Sequence, residues 1–283
     1  MKSRFLTATA LWCTCLFIWT TNISDLGQEA NPDSADTKLT SALDNLKLHL
    51  DQVMEENPIP GAAVAVVSGD SILLVWTSGH ADLASGKPVT SQTHFTIGSC
   101  TKTFTGLAFL KLMDQGRIDL DTPVREIAPE ITIDNPWEST DPVRIIHLLE
   151  HTAGFDDSRM NWFYFDGPVK SLQQAMQEKS QLRKVRWKPG TRFGYSSPGY
   201  TLAGYLLEKI TGKSYEEFLR QEILLPLSME TSRIGDGEAQ RALLATGYDR
   251  NIEPLPLWYD YDVPAGAMRS SIDEMARFVQ FML

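Results

Sequence analysis

Two kinds of hydrophobic pattern follow each other along the first third of the chain. Between residues 39 and 56 the apolar side chains recur at helical spacing, which predicts an amphipathic helix. Two apolar runs, Gly61–Val67 and Ile72–Trp76, then flank a short polar turn and predict a β-hairpin. The polar segment 22–38 precedes the helix without such a period, and it is predicted to be a linker.

Helical spacing dominates the rest of the chain. Helices are predicted over residues 99–115, 143–151, 169–182, 200–210 and 215–224, and from residue 271 onward. A lone hairpin is marginal, because it needs further strands or a helical cover. Few later segments have a strand pattern, and the chain ends in the apolar run 278–283. The sequence therefore predicts a fragment whose remaining C-terminal strands are missing.

The composition is that of an ordinary globular protein, with 283 residues of which 42% are hydrophobic and 22% are charged. The formal net charge of -10 argues against a nucleic-acid-binding surface and against adhesion to anionic lipid. Of the three cysteines, Cys100 alone lies outside an N-terminal apolar run, so no intramolecular disulfide is expected once that run is removed.

The N-terminus differs from the remainder of the chain. Lys2 and Arg4 precede the apolar run Phe5–Trp19, which is typical of a secretory signal peptide or, if uncleaved, of a membrane anchor. We therefore predict an exported protein, periplasmic or extracellular, with possible membrane attachment. Residues 1–30 would be the signal peptide or anchor with a linker, and residues 31–283 would form the functional domain.

The candidate chemistry centres on Ser99 and Lys102. Ser99 opens a predicted helix, where a nucleophile lies near the positive end of the helix dipole. Lys102 lies three residues on, and therefore on the same helical face. A serine becomes a nucleophile when a neighbouring base takes its proton, and a desolvated lysine can be that base. Ser-x-x-Lys thus predicts a nucleophile–base pair, although a capping serine beside a solvated lysine is the alternative for the tetrapeptide alone.

Three further segments agree with this pair in order and spacing. They are His-Leu-Leu-Glu-His-Thr-Ala-Gly-Phe at 147–155, Phe-Gly-Tyr-Ser-Ser-Pro-Gly-Tyr at 193–200 and Pro-Ala-Gly-Ala-Met-Arg-Ser-Ser-Ile-Asp at 264–273. With these segments the chain resembles, from about residue 39 onward, the serine β-lactamase-related family. That family includes class C β-lactamases, D-alanyl-D-alanine carboxypeptidases and related esterases, which are penicillin-binding-protein-like.

The resemblance implies an α/β (α+β) fold of the β-lactamase/transpeptidase type, with a helical region and a mainly antiparallel sheet flanked by helices. It implies a serine hydrolase that forms an acyl-enzyme on the amide or ester carbonyl of a β-lactam, a D-amino-acid peptide or a small ester. Ser99 matches the acylated nucleophile, Lys102 its basic partner and Tyr195 the proton-relaying tyrosine of the family's Tyr-x-Asn motif. No cofactor or metal is implied, and the expected partner is a small-molecule or peptide substrate of a monomeric enzyme.

Two departures from the family pattern bear on activity. Ser197 stands at the asparagine position of Tyr-x-Asn, so a single hydroxyl replaces an amide toward the substrate. The family's third motif, a Lys-x-Gly or His-x-Gly strand that supplies one N–H of the oxyanion hole, does not follow the segment 264–273. Lys188-Pro189-Gly190 has the letters but precedes Tyr195 and contains proline. A catalytically impaired penicillin-binding-like domain is therefore the alternative function.

Two other catalytic patterns occur in the sequence. His147, Glu150 and His151 form H-x-x-E-H, a zinc-binding pattern of metallopeptidases. Because these residues belong to the family-like segment 147–155, which is a structural helix in the family, a structural helix is the favoured interpretation. Residues 194–198 nearly match the Gly-x-Ser-x-Gly nucleophile elbow, but Pro198 replaces the last glycine, so an α/β-hydrolase is not favoured.

Overall fold

A computed structural model describes residues 32–158, 164–165, 170–178, 180–234, 241–256, 259–260 and 262–283. The chain divides into two compact units. The first contains the described part of Met1–His94 together with Leu243–Leu255 and Ser271–Leu283, and the second contains Phe95–Ala242 and Pro256–Ser270. The predicted signal peptide or anchor, residues 1–30, lies outside the described residues, and the proposed boundary at residue 31 stays a prediction.

The elements of the described residues follow in chain order. They are α1 (Pro32–Glu56), β1 (Gly61–Ser68), β2 (Ser71–Asp82), β3 (Lys87–Pro88), β4 (His94–Thr96), α2 (Thr101–Asp114), α3 (Val124–Ile127), α4 (Ile145–Leu149), β5 (Tyr164–Phe165), α5 (Leu172–Glu178), α6 (Ser197–Thr211), α7 (Tyr215–Leu219), β6 (Arg233–Ile234), β7 (Tyr259–Asp260), α8 (Val263–Gly266), β8 (Met268–Ser271) and α9 (Ile272–Met282). No helix in these ranges is both long and apolar enough to cross a membrane.

The predicted hairpin is present in the first unit. β1 and β2 pair antiparallel from Gly61 opposite Gly79 to Ser68 opposite Ser71, and β3 joins the other edge of β2. α9 packs against β1 and β2, and α1 packs against β2. The hairpin therefore has the additional strand and the helical cover that an isolated hairpin lacks.

The linker prediction is wrong at its C-terminal end. α1 begins at Pro32, so residues 32–38 are helical. The side chains of residues 36–40 are exposed, and this first part of the helix therefore carries no apolar stripe that periodicity could detect. Further along α1, Asp51 Oδ1 accepts a hydrogen bond of 3.0 Å from Trp76 Nε1 on β2, which ties the helix to the sheet.

In the second unit, α2 is held by its buried apolar face. Phe104, Ala108, Phe109 and Leu112 have no exposed surface, and their spacing places them along one side of the helix. The helix ends before Gly116, whose φ of +66° lies in the left-handed region expected of a glycine after a helix. The burial of this face fixes the axis of α2 and, with it, the position of the residues at its N-terminus.

α6 is the helix that most of the second unit packs around. It contacts α2, α4, α5 and α8. It begins at Ser197, earlier than predicted, because the Ser196 hydroxyl accepts the N–H of Gly199 and Pro198 lies in the first turn. A short three-stranded sheet has the order β4-β8-β6, with Arg233 paired to Arg269 across β6 and β8.

Gly204 is required where α6 meets α8. A Cβ added there would overlap Pro264 Cγ and lie 2.9 Å from Pro264 Cβ. We expect Gly204→Ala to lower the thermal unfolding midpoint, by an amount equivalent to about 1–3 kcal/mol, because the extra methyl group displaces packed atoms. The matched control is Gly106→Ala in α2, where the added Cβ meets no atom within 4 Å.

Gly106→Ala is expected to raise the thermal unfolding midpoint, by an amount equivalent to about 0.5–1 kcal/mol in the free energy of unfolding, because alanine has the higher helix propensity. Circular dichroism during heating measures both variants. A midpoint shift of the same sign in the two variants would show that the contact with Pro264 is not what requires glycine.

Candidate active site

Ser99 is placed by a tight turn between β4 and α2. Gly98 has a φ of +53°, in the region that glycine enters without steric cost. Residues Gly98–Cys100 form a 3-10 turn that runs directly into α2. The first N–H groups of a helical segment have no acceptor inside the helix, and the Ser99 N–H is one of them. Ser99 is exposed, so its hydroxyl is accessible to an external carbonyl compound.

Among the residues that the structure describes, two side chains reach the Ser99 hydroxyl. Lys102 Nζ lies 3.2 Å from Ser99 Oγ, and Tyr195 Oη lies 2.8 Å from the same oxygen. Lys102 is 7% exposed, whereas Tyr195 is 39% exposed. The structure thus brings together the three residues for which the sequence predicts catalytic roles. The phenol reaches the serine from the loop before α6, and the amine reaches it from α2.

The environment of Lys102 holds its amino group in place. Nζ donates to the carbonyl oxygen of Ala265 at 2.8 Å. It also lies 4.8 Å from the ring centroid of Tyr195 and 5.7 Å from that of Tyr200, within the range of cation–π attraction. A positive charge held at this point stabilises negative charge that develops on Ser99 Oγ.

Tyr200 lines the site beside Lys102 but does not donate a proton to the serine. Its hydroxyl donates to the Leu149 carbonyl at 2.8 Å. Burial raises the pKa of Tyr200 to about 12, and the neighbouring Tyr195 adds to this effect. Tyr200 therefore stays a neutral phenol near neutral pH. Of the two phenols beside Lys102, Tyr195 is the one that contacts Ser99.

A buried carboxylate anchors the turn that carries Ala265. Asp262 has no exposed surface. Its Oδ1 accepts from the Thr201 hydroxyl at 2.6 Å, and its Oδ2 accepts from the Ser158 hydroxyl at 2.7 Å. The main-chain carbonyl of Asp262 also accepts the N–H of Ala265. The carboxylate thereby joins α8 to α6 and to the segment before residue 159.

A second contact holds the same turn to α2. The Thr105 hydroxyl donates to the Pro264 carbonyl at 2.7 Å and lies 2.6 Å from the Tyr215 hydroxyl. Thr105 has no exposed surface. Sequence reasoning found neither Asp262 nor Thr105. The available signal was weak: an acidic residue two positions before Pro264, and a threonine three positions after Lys102 on the same face of the helix.

Ser197 occupies the first position of α6 and is 1% exposed. Its N–H donates to Asp157 Oδ1 at 2.8 Å. Within the described residues, no hydrogen bond joins Ser197 to Ser99 or Lys102. Its assignment to substrate binding stays a prediction, and the position itself serves to hold the start of α6.

The family model for β-lactamases matches residues 46–283. This chain belongs to the β-lactamase family. Over 81% of its length it is 31% identical to a β-lactamase of Escherichia coli strain K12, and over 82% it is 32% identical to a β-lactamase of Yersinia enterocolitica. These matches cover 58% and 57% of the two relatives, so the chain spans little more than half of their length.

A solved structure gives the same result. The octameric penicillin-binding protein homologue from Pyrococcus abyssi superposes with a TM-score of 0.72 and 27% identity, over 84% of this chain and 56% of that one. The family resemblance and the mixed α/β fold of the β-lactamase/transpeptidase type that the sequence predicts are therefore confirmed.

The geometry of this β-lactamase-family chain does not favour the zinc alternative. α4 ends at Leu149 and His151 has a φ of +59°, so the helical register between His147 and His151 is not kept. Both histidines use Nδ1 to accept a main-chain N–H, that of Arg144 and that of Ser196 respectively. The described part of the chain contains no cluster of three side chains able to hold a metal ion.

Proposed function

We propose that this chain is a serine hydrolase that acts through an acyl-enzyme on an amide or ester carbonyl. One observation carries the proposal: a lysine amine and a tyrosine hydroxyl both lie within hydrogen-bond distance of one exposed serine hydroxyl. A serine flanked by two groups able to take its proton is an activated nucleophile. Membership of the β-lactamase family supports the same reaction type.

The first half of the reaction is acylation. Ser99 gives its proton either to Tyr195 Oη, when the tyrosine is a phenolate, or to Lys102 Nζ, when the lysine is a free amine. Ser99 Oγ then attacks the carbonyl carbon. The Ser99 N–H lies at the start of a helical turn and donates to the oxygen that becomes negative. The same proton then passes through Tyr195 or Lys102 to the leaving nitrogen or oxygen, and the acyl group remains on Ser99.

The second half is hydrolysis of the ester on Ser99. Water gives up a proton to the same pair and attacks the acyl carbon, and Ser99 Oγ recovers a proton as the acid leaves. Lys102 holds its position through the Ala265 carbonyl in both halves. No metal or organic cofactor enters this scheme. A β-lactam, a D-amino-acid peptide and a small ester all supply the carbonyl it needs.

We further propose that the substrate is met outside the cytoplasm, because the N-terminal residues carry the basic and apolar pattern of an export signal. The two relatives named as β-lactamases make the β-lactam ring amide the first substrate to test. We also propose that the chain acts as a monomer on a small molecule or a peptide.

Covalent trapping tests the proposal. The 283-residue chain is incubated with a fluorophosphonate and, separately, with a fluorescent penicillin, and intact mass and peptide mapping locate any adduct. We expect one adduct per chain, on the peptide that contains Ser99. A sample of the chain that is unfolded before the probe is added should give no adduct. Nitrocefin, p-nitrophenyl esters and D-Ala-D-Ala peptides then rank the substrate classes.

The outcomes separate the two functions. Labelling followed by turnover of any one substrate class supports the hydrolase. Labelling of Ser99 without turnover favours an impaired penicillin-binding-like domain, for which the replacement of asparagine by Ser197 is one of the two motivating observations. An unlabelled folded chain, or an adduct on a different serine, contradicts the assignment of Ser99 as nucleophile.

A further inference from the structure

His151 makes three contacts with the segment that carries Tyr195. Its ring stacks on the Tyr195 ring, with 4.4 Å between centroids and 28° between planes. Its Nδ1 accepts the N–H of Ser196 at 3.1 Å, and its carbonyl accepts the N–H of Gly194 at 2.8 Å. The two main-chain bonds thus hold the residues on either side of Tyr195, and the ring contact holds the tyrosine side chain itself.

We infer that neutral His151 is the positioning residue for Tyr195, and that its protonation releases the tyrosine from the Ser99 hydroxyl. The inference rests on the proposed function, because it assigns a control of the same site. His151 does not contact the serine in this arrangement. It acts through Tyr195, whose Oη lies 2.8 Å from Ser99 Oγ.

The backbone of His151 suits this role. Its φ of +59° places it in the left-handed region, in which histidine and asparagine are more common than other side chains. This conformation directly follows α4 and allows the carbonyl and the ring of one residue to bond to the same segment. Phe193, which is 69% exposed, packs edge-on against the His151 ring, with 5.7 Å between ring centroids.

The hydrogen bond to Nδ1 requires the neutral ring. An imidazole that accepts at Nδ1 carries its proton on Nε2, whereas imidazolium has no acceptor. Protonation of His151 therefore removes the bond to the Ser196 N–H. It also places a second positive charge near the amino group of Lys102, which lies 4.8 Å from the Tyr195 ring. The repulsion between these two cations opposes the stacked arrangement.

The groups that face the ring determine where it titrates. Burial lowers the pKa of His151 below the ordinary histidine value, the positive charge of Lys102 lowers it further, and the Asp157 carboxylate acts in the opposite sense. The rings of Tyr195 and Tyr200 also face the His151 ring, with 4.4 Å and 5.1 Å between centroids. Above its lowered pKa the ring is neutral and holds Tyr195; as the pH falls through that value, the contact is lost.

His151→Asn is the variant that tests the inference. Asparagine accepts the left-handed backbone conformation, keeps a neutral side-chain acceptor and does not titrate. The rate of Ser99 labelling by a fluorophosphonate is measured against pH for the wild type, for His151→Asn and for His49→Asn, which alters an exposed histidine of α1. The dependence of rate on probe concentration separates the binding of the probe from the acylation step.

We expect the wild type to lose labelling rate on the acid side, with a midpoint below the ordinary histidine value. His151→Asn should lose this acid limb, and its plateau rate should fall about 10- to 100-fold because the tyrosine is less well placed. Probe binding should change by less than about threefold. His49→Asn should match the wild type. A merely structural role for His151 would lower the melting midpoint and leave the acid limb in place.

A second measurement needs no variant and no activity. In ¹⁵N-labelled wild-type chain, the Ser196 amide resonance should titrate with the same midpoint as the His151 ring. If Ser99 is not labelled at any pH, the proposed function fails, while this titration still decides whether the ring controls the segment. A Ser196 amide that ignores His151 titration, or a variant that keeps both the wild-type acid limb and the wild-type plateau, overturns the inference.

Discussion

Lys102→Met is expected to lower the rate of Ser99 acylation by about 10³-fold, because it removes the amino group that accepts the Ser99 proton as free amine or stabilises negative charge on Ser99 Oγ as ammonium. Methionine has a side chain of similar length, so the volume at this 7% exposed position is kept. The Tyr195 contact to Ser99 does not involve Lys102 and remains in the variant. The residual rate therefore reports what the tyrosine and the Ser99 N–H achieve without the amine.

Stability should respond in a different way. The variant leaves the Ala265 carbonyl without the 2.8 Å bond from Nζ, at a cost of about 1 kcal/mol. It also removes the desolvation cost of a buried ammonium, which offsets that loss. We expect the thermal midpoint to change little. A large loss of rate in a chain of unchanged stability separates a chemical role from a structural one.

The matched control is Lys111→Met on the same helix. Lys111 pairs with Glu222 at 3.1 Å, its side chain is 32% exposed, and it lies far along α2 from Ser99. The same substitution there should leave the acylation rate unchanged, as measured by the time course of fluorophosphonate labelling. Equal labelling rates for Lys102→Met and the wild type would remove Lys102 from the proposed mechanism.

Asp262→Ala should destabilise the second unit by about 3 kcal/mol and also slow acylation. The Thr201 and Ser158 hydroxyls lose the carboxylate oxygens that accept their hydrogen bonds, and hydrogen bonds to a charged acceptor contribute about 1.5–3 kcal/mol each. The turn that Asp262 anchors carries the Ala265 carbonyl, which holds Lys102 Nζ. A looser turn therefore misplaces the base as well as lowering the melting midpoint.

Asp262→Asn and Asp44→Ala are the comparisons for this prediction. Asparagine keeps one oxygen acceptor at the buried position, so its effect should be smaller than that of alanine. Asp44 lies on α1 with a 61% exposed side chain that pairs with Lys47, and its loss should change stability by no more than about 0.5 kcal/mol. Thermal unfolding and labelling rate are measured on all three. A stable, fully reactive Asp262→Ala chain would show that the carboxylate does not anchor the turn.

The elements that the sequence predicted best are those with an uninterrupted hydrophobic pattern. The hairpin of β1 and β2, the helix after Ser99 and its end before Gly116 all follow from local periodicity and from glycine chemistry. The start of α1 was missed because residues 36–38 are polar and exposed, so they add nothing to the apolar period that begins at Leu39. The start of α6 was placed too late because capping by Ser196 precedes the apolar pattern that periodicity detects.

The serine and the lysine could be found from the sequence because their relation is local. Three residues separate them at the start of a helix, and helical geometry alone places both on one face. Tyr195 could be found only through the resemblance to a family, since 96 positions separate it from Ser99. Nothing in the local pattern around a tyrosine states which distant side chain its hydroxyl will meet.

The sequence by itself predicted Ser99 as the nucleophile and Lys102 as its nearest base, and it indicated the family, which the comparisons confirm, and the class of reaction to test. The tertiary structure alone decided how these groups are held: the Ala265 carbonyl lies 163 positions from Lys102, and the ring of His151 lies against Tyr195. Such contacts depend on the packing of helices that are distant in the chain, which the local hydrophobic period does not encode. For this reason the sequence suggests His151 as a metal ligand of an H-x-x-E-H pattern, whereas in the structure its ring stacks on that of Tyr195.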